Sequence, residues 1–243
     1  MAAHNVDSEG RKNYYNISYG KFSTKVKEVS PTLKEITEAE LKQKTQEVEN
    51  IDLRNCYIDK GEGERPYVVF YDQIIGKIQS IKKDVGDQYT TLQIEVLDKD
   101  NEFSTIQSKF YSKYSENILN RLLNATLSEE LYLSPYSIPN ESEIKGKKVR
   151  FYTQGVSIRQ NGTKIEVAYK SEEGKKSEMP DTEQVKIAGK ETTSRDNRID
   201  WLFDRITEVF VAPERPTNVV STFTKATEKE EVVIPMVEDD LPW

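Results

Sequence analysis

Histidine and cysteine are nearly missing from this 243-residue chain, which has one of each, His4 and Cys56. A single cysteine excludes an intrachain disulfide and a Cys-rich zinc site. A single histidine in a segment expected to fray leaves Cys56 and the serines without an activating base. There is no Gly-rich phosphate loop, no GxSxG elbow and no paired metal-ligand motif, so the expectation is a binding protein without metal or cofactor, not an enzyme. Acidic residues such as Asp98 and Asp100 read as a turn; a nuclease whose metal site is gathered from distant acids stays open. Long apolar runs are also lacking. None approaches the roughly 20 residues that span a bilayer, and Met1 to Asp7 carries no basic-then-apolar leader pattern, which points to a reducing cytoplasm.

What the chain has in abundance is charge. Charged residues make up 32% and apolar residues 35%, a balance that suits a compact domain bearing polar extensions, while the length suits one main domain of roughly 100–150 residues plus arms, or two small ones, one core being the simpler reading. The charge is unevenly spread. From Ala226 to Trp243 there are six acids (Glu228, Glu230, Glu231, Glu238, Asp239, Asp240) and one base (Lys229). That segment accounts for −5 of the net −7, so the body is nearly neutral and does not repel a polyanion. Between Arg65 and Lys170, fifteen Lys and Arg face thirteen Asp and Glu, a modest basic bias that an ordinary mixed surface would also give.

The last six residues, Glu238-Asp239-Asp240-Leu241-Pro242-Trp243, do not suit a folded element. The acids repel one another, Pro242 blocks helix and strand, and Leu241 and Trp243 lie where chains fray. A charged peptide with an apolar tip is built to be bound by a partner. Upstream, Pro213, Pro216, Thr217, Ser221, Thr222, Thr224 and Thr227 read as a flexible tether. Residues 213–243 are therefore expected to be linker and acidic tail.

Periodicity divides the rest. Residues 1–64 are expected to form an arm. Its Tyr14, Tyr15, Ile17, Tyr19 and Phe22 nearly alternate around Gly20, giving one strand or two joined by a turn. Thr37 and Glu40 are spaced as a capping box, and Ile36 and Leu41 as a hydrophobic staple, for a helix running to about Val48 with a thin apolar face. Residues 65–212 are expected to be the core. Residues 67–71 and 74–81 predict one long or bulged strand with Gly76 at a bend, and residues 82–87 a turn. Strands follow at 89–96 and 103–110, then a helix on Tyr114, Ile118 and Leu122 ending near Asn124. A strand at 130–133 precedes turns at Pro135 and Pro139. Residues 147–152 then lead into a hairpin, 156–159 and 164–169, around Asn161-Gly162, the strongest hairpin signal in the chain. A last helix, 197–210, carries an apolar stripe read as packing on the core, while Trp201 off that stripe leaves a dimerisation or partner role open.

Three strands, a helix and further strands is the order of an OB-fold, a five-stranded Greek-key barrel, although another α+β arrangement shares it. With this order, with Gly76-Lys77-Ile78 and with the acidic ending closed by Leu241-Pro242-Trp243, the chain resembles bacterial and phage single-stranded-DNA-binding proteins, whose acidic tails end in an apolar residue, Pro and Phe. The likeness is of layout more than of residues, and the opening strand of the bacterial tetrameric family has no match here, so a homo-oligomer stays open. The resemblance implies an OB-fold that protects single-stranded DNA in replication, recombination or repair, in a bacterial host cytoplasm if the chain is phage-encoded. It also implies a tail, Glu238, Asp239, Asp240, Leu241, Pro242 and Trp243, that recruits a polymerase, helicase or recombination factor.

Such binding needs cations along the phosphates and aromatic faces for the bases. Strands two and three of the barrel and the loops beside them direct attention to Lys77, Lys82, Lys83, Tyr89, Phe103, Lys109, Tyr111, Lys113, Arg150, Tyr152, Arg159 and Lys164. Each Tyr or Phe fits core packing as well as stacking, and each Lys also fits a solvated surface. The best local groupings are Lys82-Lys83 beside Tyr89, and Tyr111 between Lys109 and Lys113. A protein-interaction adaptor and an RNA-binding OB-fold protein are the alternatives.

Overall fold

Alternating apolar and polar side chains build most of this molecule. The computed structural model describes residues 13–144, 146–169, 178–187 and 190–210. Its class is mainly β, as expected. The strands are β1 (Asn13–Ser18), β2 (Lys21–Val26), β3 (Lys34–Glu35), β4 (Cys56–Asp59), β5 (Tyr67–Tyr71), β6 (Ile74–Val85), β7 (Thr90–Leu97), β8 (Phe103–Lys109), β9 (Leu131–Ile144), β10 (Lys147–Gln160), β11 (Thr163–Lys164), β12 (Glu183–Ile187) and β13 (Lys190–Ser194). The helices are α1 (Glu38–Gln46), α2 (Lys113–Leu122) and α3 (Asp196–Val209). Strands β1 to β11 form one sheet in the order β11-β10-β9-β6-β7-β8-β1-β2-β5-β4-β3, and β12 pairs with β13 alone. Among the described residues no helix is long and apolar enough to cross a membrane.

The segment expected to be an arm supplies four strands of this sheet, β1 to β4. Tyr19 and Gly20 both take positive φ, 51° and 73°, and turn β1 back onto β2. β1 then pairs in parallel with β8, Tyr15 opposite Ile106, and β2 pairs with β5. The sheet curls until the β1–β2 turn lies on β9. A Cβ on Gly20 would stand 2.4 Å from the Ser137 nitrogen, and the Gly20 N–H donates to Tyr114 Oη at 3.1 Å. No ladder joins β2 to β9, so the sheet remains open.

The two faces of the sheet have different fates. The inner face gathers Tyr15, Phe22, Ile78, Leu92, Ile94 and Ile106 with Ile118, Leu119 and Leu122 of α2 and Ile199, Leu202 and Ile206 of α3 into the main core. Burial of each such side chain favours folding by about 1.5–3 kcal/mol. At the β2-β5-β4 end the opposite face is covered as well. There Phe70, Ile58, Cys56 and Leu53 meet Leu41 of α1. The expected capping box of α1 forms, Glu40 N–H donating to Thr37 Oγ1 at 3.2 Å and Thr37 N–H to Glu40 Oε2 at 2.9 Å; the Thr37 N–H and then the Thr37 hydroxyl, both donating to that carboxylate, hold it below its ordinary range. Leu41 is the only apolar residue α1 buries, as its thin stripe predicted.

Four expectations change. Residues 67–71 and 74–81 are two strands with different neighbours, β5 between β2 and β4, and β6 between β7 and β9. β6 does carry a bulge between Ile78 and Ser80, and a Cβ on Gly76 would stand 2.3 Å from the Leu97 carbonyl. Lys82 and Lys83, expected in a turn, continue β6 opposite Gln93 and Leu92; the turn comes later, where Gly86 N–H donates to Tyr89 O at 3.2 Å. Pro135 and Pro139 lie inside β9, not in turns. β9 has β6 as its second neighbour only as far as Leu133, so beyond that point it is an edge strand, where a missing N–H is tolerated. Finally, residues 147–159 form one long strand, and the strand expected at 164–169 stops at Lys164. Asn161 and Gly162 make the expected hairpin turn at φ 50° and 77°, but the chain then leaves the sheet for α2. There Asn120 Nδ2 donates to Tyr169 O at 2.9 Å and Tyr169 N–H donates to Asn120 Oδ1 at 2.8 Å.

Candidate nucleic-acid interface

The strand register decides which expected site residues share a surface. Lys77 lies opposite Leu97 and Leu97 opposite Phe103, all turned away from the main core. In the next rows Glu95 and Thr105 continue to Tyr14, Lys82 to Gln93, Gln107 and Asn16, and Asp84 to Thr91 and Lys109. On the other side of β6 the same face carries Ile75, Tyr132, Arg159 and Lys164 in one row. Six of the twelve expected contacts, Lys77, Lys82, Phe103, Lys109, Arg159 and Lys164, therefore lie on one outer face of the curled sheet.

This face is chemically mixed in a specific way. Its strand positions hold five cations, Lys77, Lys82, Lys109, Arg159 and Lys164, all exposed, and two carboxylates, Glu95 and Asp84. Glu95 is buried and accepts from Ser80 Oγ at 3.0 Å. Asp84 accepts from Gln93 Nε2 at 2.8 Å. Lys164 has Glu166 at 3.5 Å. Among the cations stand Phe103, Leu97, Ile75 and Tyr132, each half-buried, and Tyr14, 38% exposed. Cations interleaved with aromatic and aliphatic faces can meet phosphates and bases together.

The other expected residues fall elsewhere. Tyr89 is half-buried in the turn that leads into β7. Lys83 turns to the inner face with Leu92, and Tyr111, 43% exposed, stands beside it just after β8. The structure unites these two, yet it also hands both to Asp200 of α3. Lys83 Nζ lies 2.6 Å from Asp200 Oδ1 and Tyr111 Oη donates to Asp200 Oδ2 at 3.2 Å. Hydrogen bonding to Asp200 is the main reason the Lys83 ammonium is held above its ordinary range.

Lys113 opens α2, and burial, then the nearby Arg195, push its pKa down. Arg150 pairs with Glu141 across the β9–β10 hairpin at 2.5 Å. Tyr152 is a brace: its hydroxyl donates to the carbonyls of Glu49 at 2.7 Å and Lys44 at 3.2 Å, tying the hairpin to the end of α1. Trp201 packs edge-on to Tyr169 at 4.8 Å, with the Arg205 guanidinium 5.2 Å from its ring centre. The tail residues Glu238, Asp239, Asp240, Leu241, Pro242 and Trp243 lie outside the described residues.

Tyr14, Leu97, Ile75 and Tyr132 were not singled out from sequence. Their signal was alternation: Tyr14 beside the core residue Tyr15, and Tyr132 between the core residues Leu131 and Leu133, had to face outward. Nothing local told that β1 would lie beside β8, or β9 beside β6. No family model, no curated protein and no solved structure matches this chain.

Proposed function

We propose that this protein binds single-stranded DNA without sequence preference, by binding alone and without catalysis, and that its acidic segment recruits replication or recombination partners. The observation that supports it best is the outer sheet face, where Lys77, Lys82, Lys109, Arg159 and Lys164 surround Phe103, Tyr14 and Tyr132. Bases present apolar π-faces and the backbone presents one charge per nucleotide, so this surface matches a single strand better than a duplex, whose bases are stacked inside.

The strand order is compatible with an OB-fold reading. β6, β7, β8, α2, β9 and β10 follow one another with β6 between β7 and β9, and the outer edge of β8 is taken in parallel by β1. On this reading the curled sheet is a barrel variant widened by the N-terminal hairpin, and the strand crosses β7 and β8. The acidic segment, with a net of −5 from Ala226 to Trp243, competes for the same cations until DNA displaces it, and then offers Leu241 and Trp243 to a partner.

Titration of the protein with labelled oligo(dT) at several salt concentrations tests the proposal. Expected are binding that prefers single strands over duplex, quenching of intrinsic fluorescence, and a log–log salt slope of about −0.7 per neutralised phosphate. Tight binding confined to duplex, or affinity indifferent to salt, would refute it; a strong preference for oligo(rU) would redirect it to RNA.

A further inference from the structure

Lys83 and Tyr111 stand apart in sequence, and the pairing of β6, β7 and β8 brings them together. Lys83 Nζ donates to the Tyr111 hydroxyl at 3.3 Å and lies 5.4 Å from the centre of its ring. Phe110 is fully buried and packs edge-on against Tyr111 at 5.0 Å and Phe203 at 5.4 Å, so the core backs the Tyr111 ring. That ring is 43% exposed. Only Phe110 separates it in sequence from Lys109 of the outer sheet face. An ammonium beside an accessible aromatic face is what one nucleotide of a single strand requires, the first for its phosphate and the second for its base.

Both groups are already engaged, and by one acid. Asp200 Oδ1 lies 2.6 Å from Lys83 Nζ, while Tyr111 Oη donates to Asp200 Oδ2 at 3.2 Å and reaches Oδ1 at 3.4 Å. A carboxylate held by an ammonium and a hydroxyl offers the negative charge and the acceptor oxygens that a phosphodiester would offer there. The docking of α3 has its own support, since Ile199, Leu202 and Ile206 are fully buried in the main core. Both partners of the ion pair are partly exposed, and such pairs are weak. Asp200 can therefore turn out to solvent by rotating its side chain while α3 stays in place.

We infer that Asp200 occupies the place of a phosphate of the bound strand and keeps the Lys83–Tyr111 contact closed until DNA displaces it. The inference rests on the proposed single-stranded-DNA binding and assigns a regulation to it. On displacement the Lys83 ammonium passes from carboxylate to phosphate, and the Tyr111 ring takes a base of the strand that has crossed Lys109. Loss of the Asp200 carboxylate should thus weaken the fold and strengthen binding. A purely structural clamp does not give that combination.

The test titrates the full chain with labelled oligo(dT) at several salt concentrations, comparing the wild type with Asp200→Asn, Asp200→Glu, Asp204→Asn, and Asp200→Asn combined with Lys83→Gln. Asp200→Asn should bind roughly threefold or more tightly, with a salt slope steeper by about 0.7 as one further phosphate is neutralised. Asp200→Glu should behave as the wild type, and Lys83→Gln should cancel the gain. Asp204→Asn removes the same charge from an exposed position one turn along α3 and should change affinity little. An equal gain from Asp204→Asn would reduce the effect to net charge and overturn the inference, as would unchanged or weaker binding by a folded Asp200→Asn. Thermal melts accompany each variant; should Asp200→Asn unfold, light-induced cross-linking of the wild type to oligo(dT) carrying 5-iododeoxyuridine decides, a cross-link at Tyr111 supporting the inference and its absence discarding it. These outcomes leave the sheet-face reading intact while the wild type binds oligo(dT). Failure of the wild type and Asp200→Asn alike to bind overturns both.

Discussion

Lys83 of β6 and Asp200 of α3 form an ion pair of 2.6 Å that fastens the last helix to the sheet. The ammonium also lies 4.4 Å from the ring centre of buried Phe110 and donates to Tyr111 Oη at 3.3 Å, so three kinds of contact converge on one lysine. Partly exposed pairs of this kind contribute about 1 kcal/mol or less. Asp200→Asn should lower stability by that order, measured by urea unfolding. The pH dependence has a definite sign. The folded pKa of Lys83 is raised, so the pair's contribution is complete below the ordinary lysine value near about 10.4 and is lost as pH rises through the folded value. From neutral pH upward the wild type should therefore keep its advantage over Asp200→Asn until strong alkali; a difference that vanishes at pH 7 would contradict the pairing.

Lys77 and Lys82 are exposed on the outer face, and no described ion pair includes either. Lys77→Glu with Lys82→Glu should weaken oligo(dT) binding and make the salt slope shallower by about 1.4, while stability stays within about 0.5 kcal/mol. Unchanged affinity in a folded double variant would remove this face from the DNA path.

Two glycines with like backbones separate strain from collision. Gly162 has φ 77° and nothing within 4 Å of a Cβ, whereas Gly20 has φ 73° and the Ser137 nitrogen at 2.4 Å. Gly162→Ala should cost about 1–2 kcal/mol, the price of a left-handed alanine alone. Gly20→Ala should cost clearly more, because the β1–β2 turn must lift off β9. Equal melting temperatures for the two variants would show that this turn does not press on β9.

Trp243→Ala should leave oligo(dT) affinity nearly intact and abolish capture of a polymerase, helicase or recombination factor, since a buried aromatic usually carries most of such an interface. Removing residues 226–243 should raise oligo(dT) affinity, most clearly at low salt. Equal partner capture by Trp243→Ala and the wild type would sink the recruiting role.

The sequence by itself determined the local elements. Thr37 and Glu40 marked a helix start by offering two orphan N–H groups their bonds, Asn161-Gly162 marked a turn by accepting positive φ, and the stripes through Ile118 and Leu202 marked helices with one buried face. These rest on interactions within about four residues, which a sequence displays directly. Alternation also told which residues of each strand share a side, and so that Lys77 faces away from Ile78.

Only the tertiary structure decided which strands become neighbours. The pairing of β1 with β8 turned an expected arm into part of the main sheet, and it brought Tyr14 beside Thr105 in one row with Lys77, Lys82 and Phe103 in the rows around it. It likewise set Asp200 against Lys83 across 117 residues, removing that lysine from the surface its sequence neighbours suggested, and it drew residues 165–169 from an expected strand onto Asn120. Such choices depend on which distant partners bury the most apolar surface and satisfy the most backbone groups together. That is a property of the assembled chain, and no local pattern carries it.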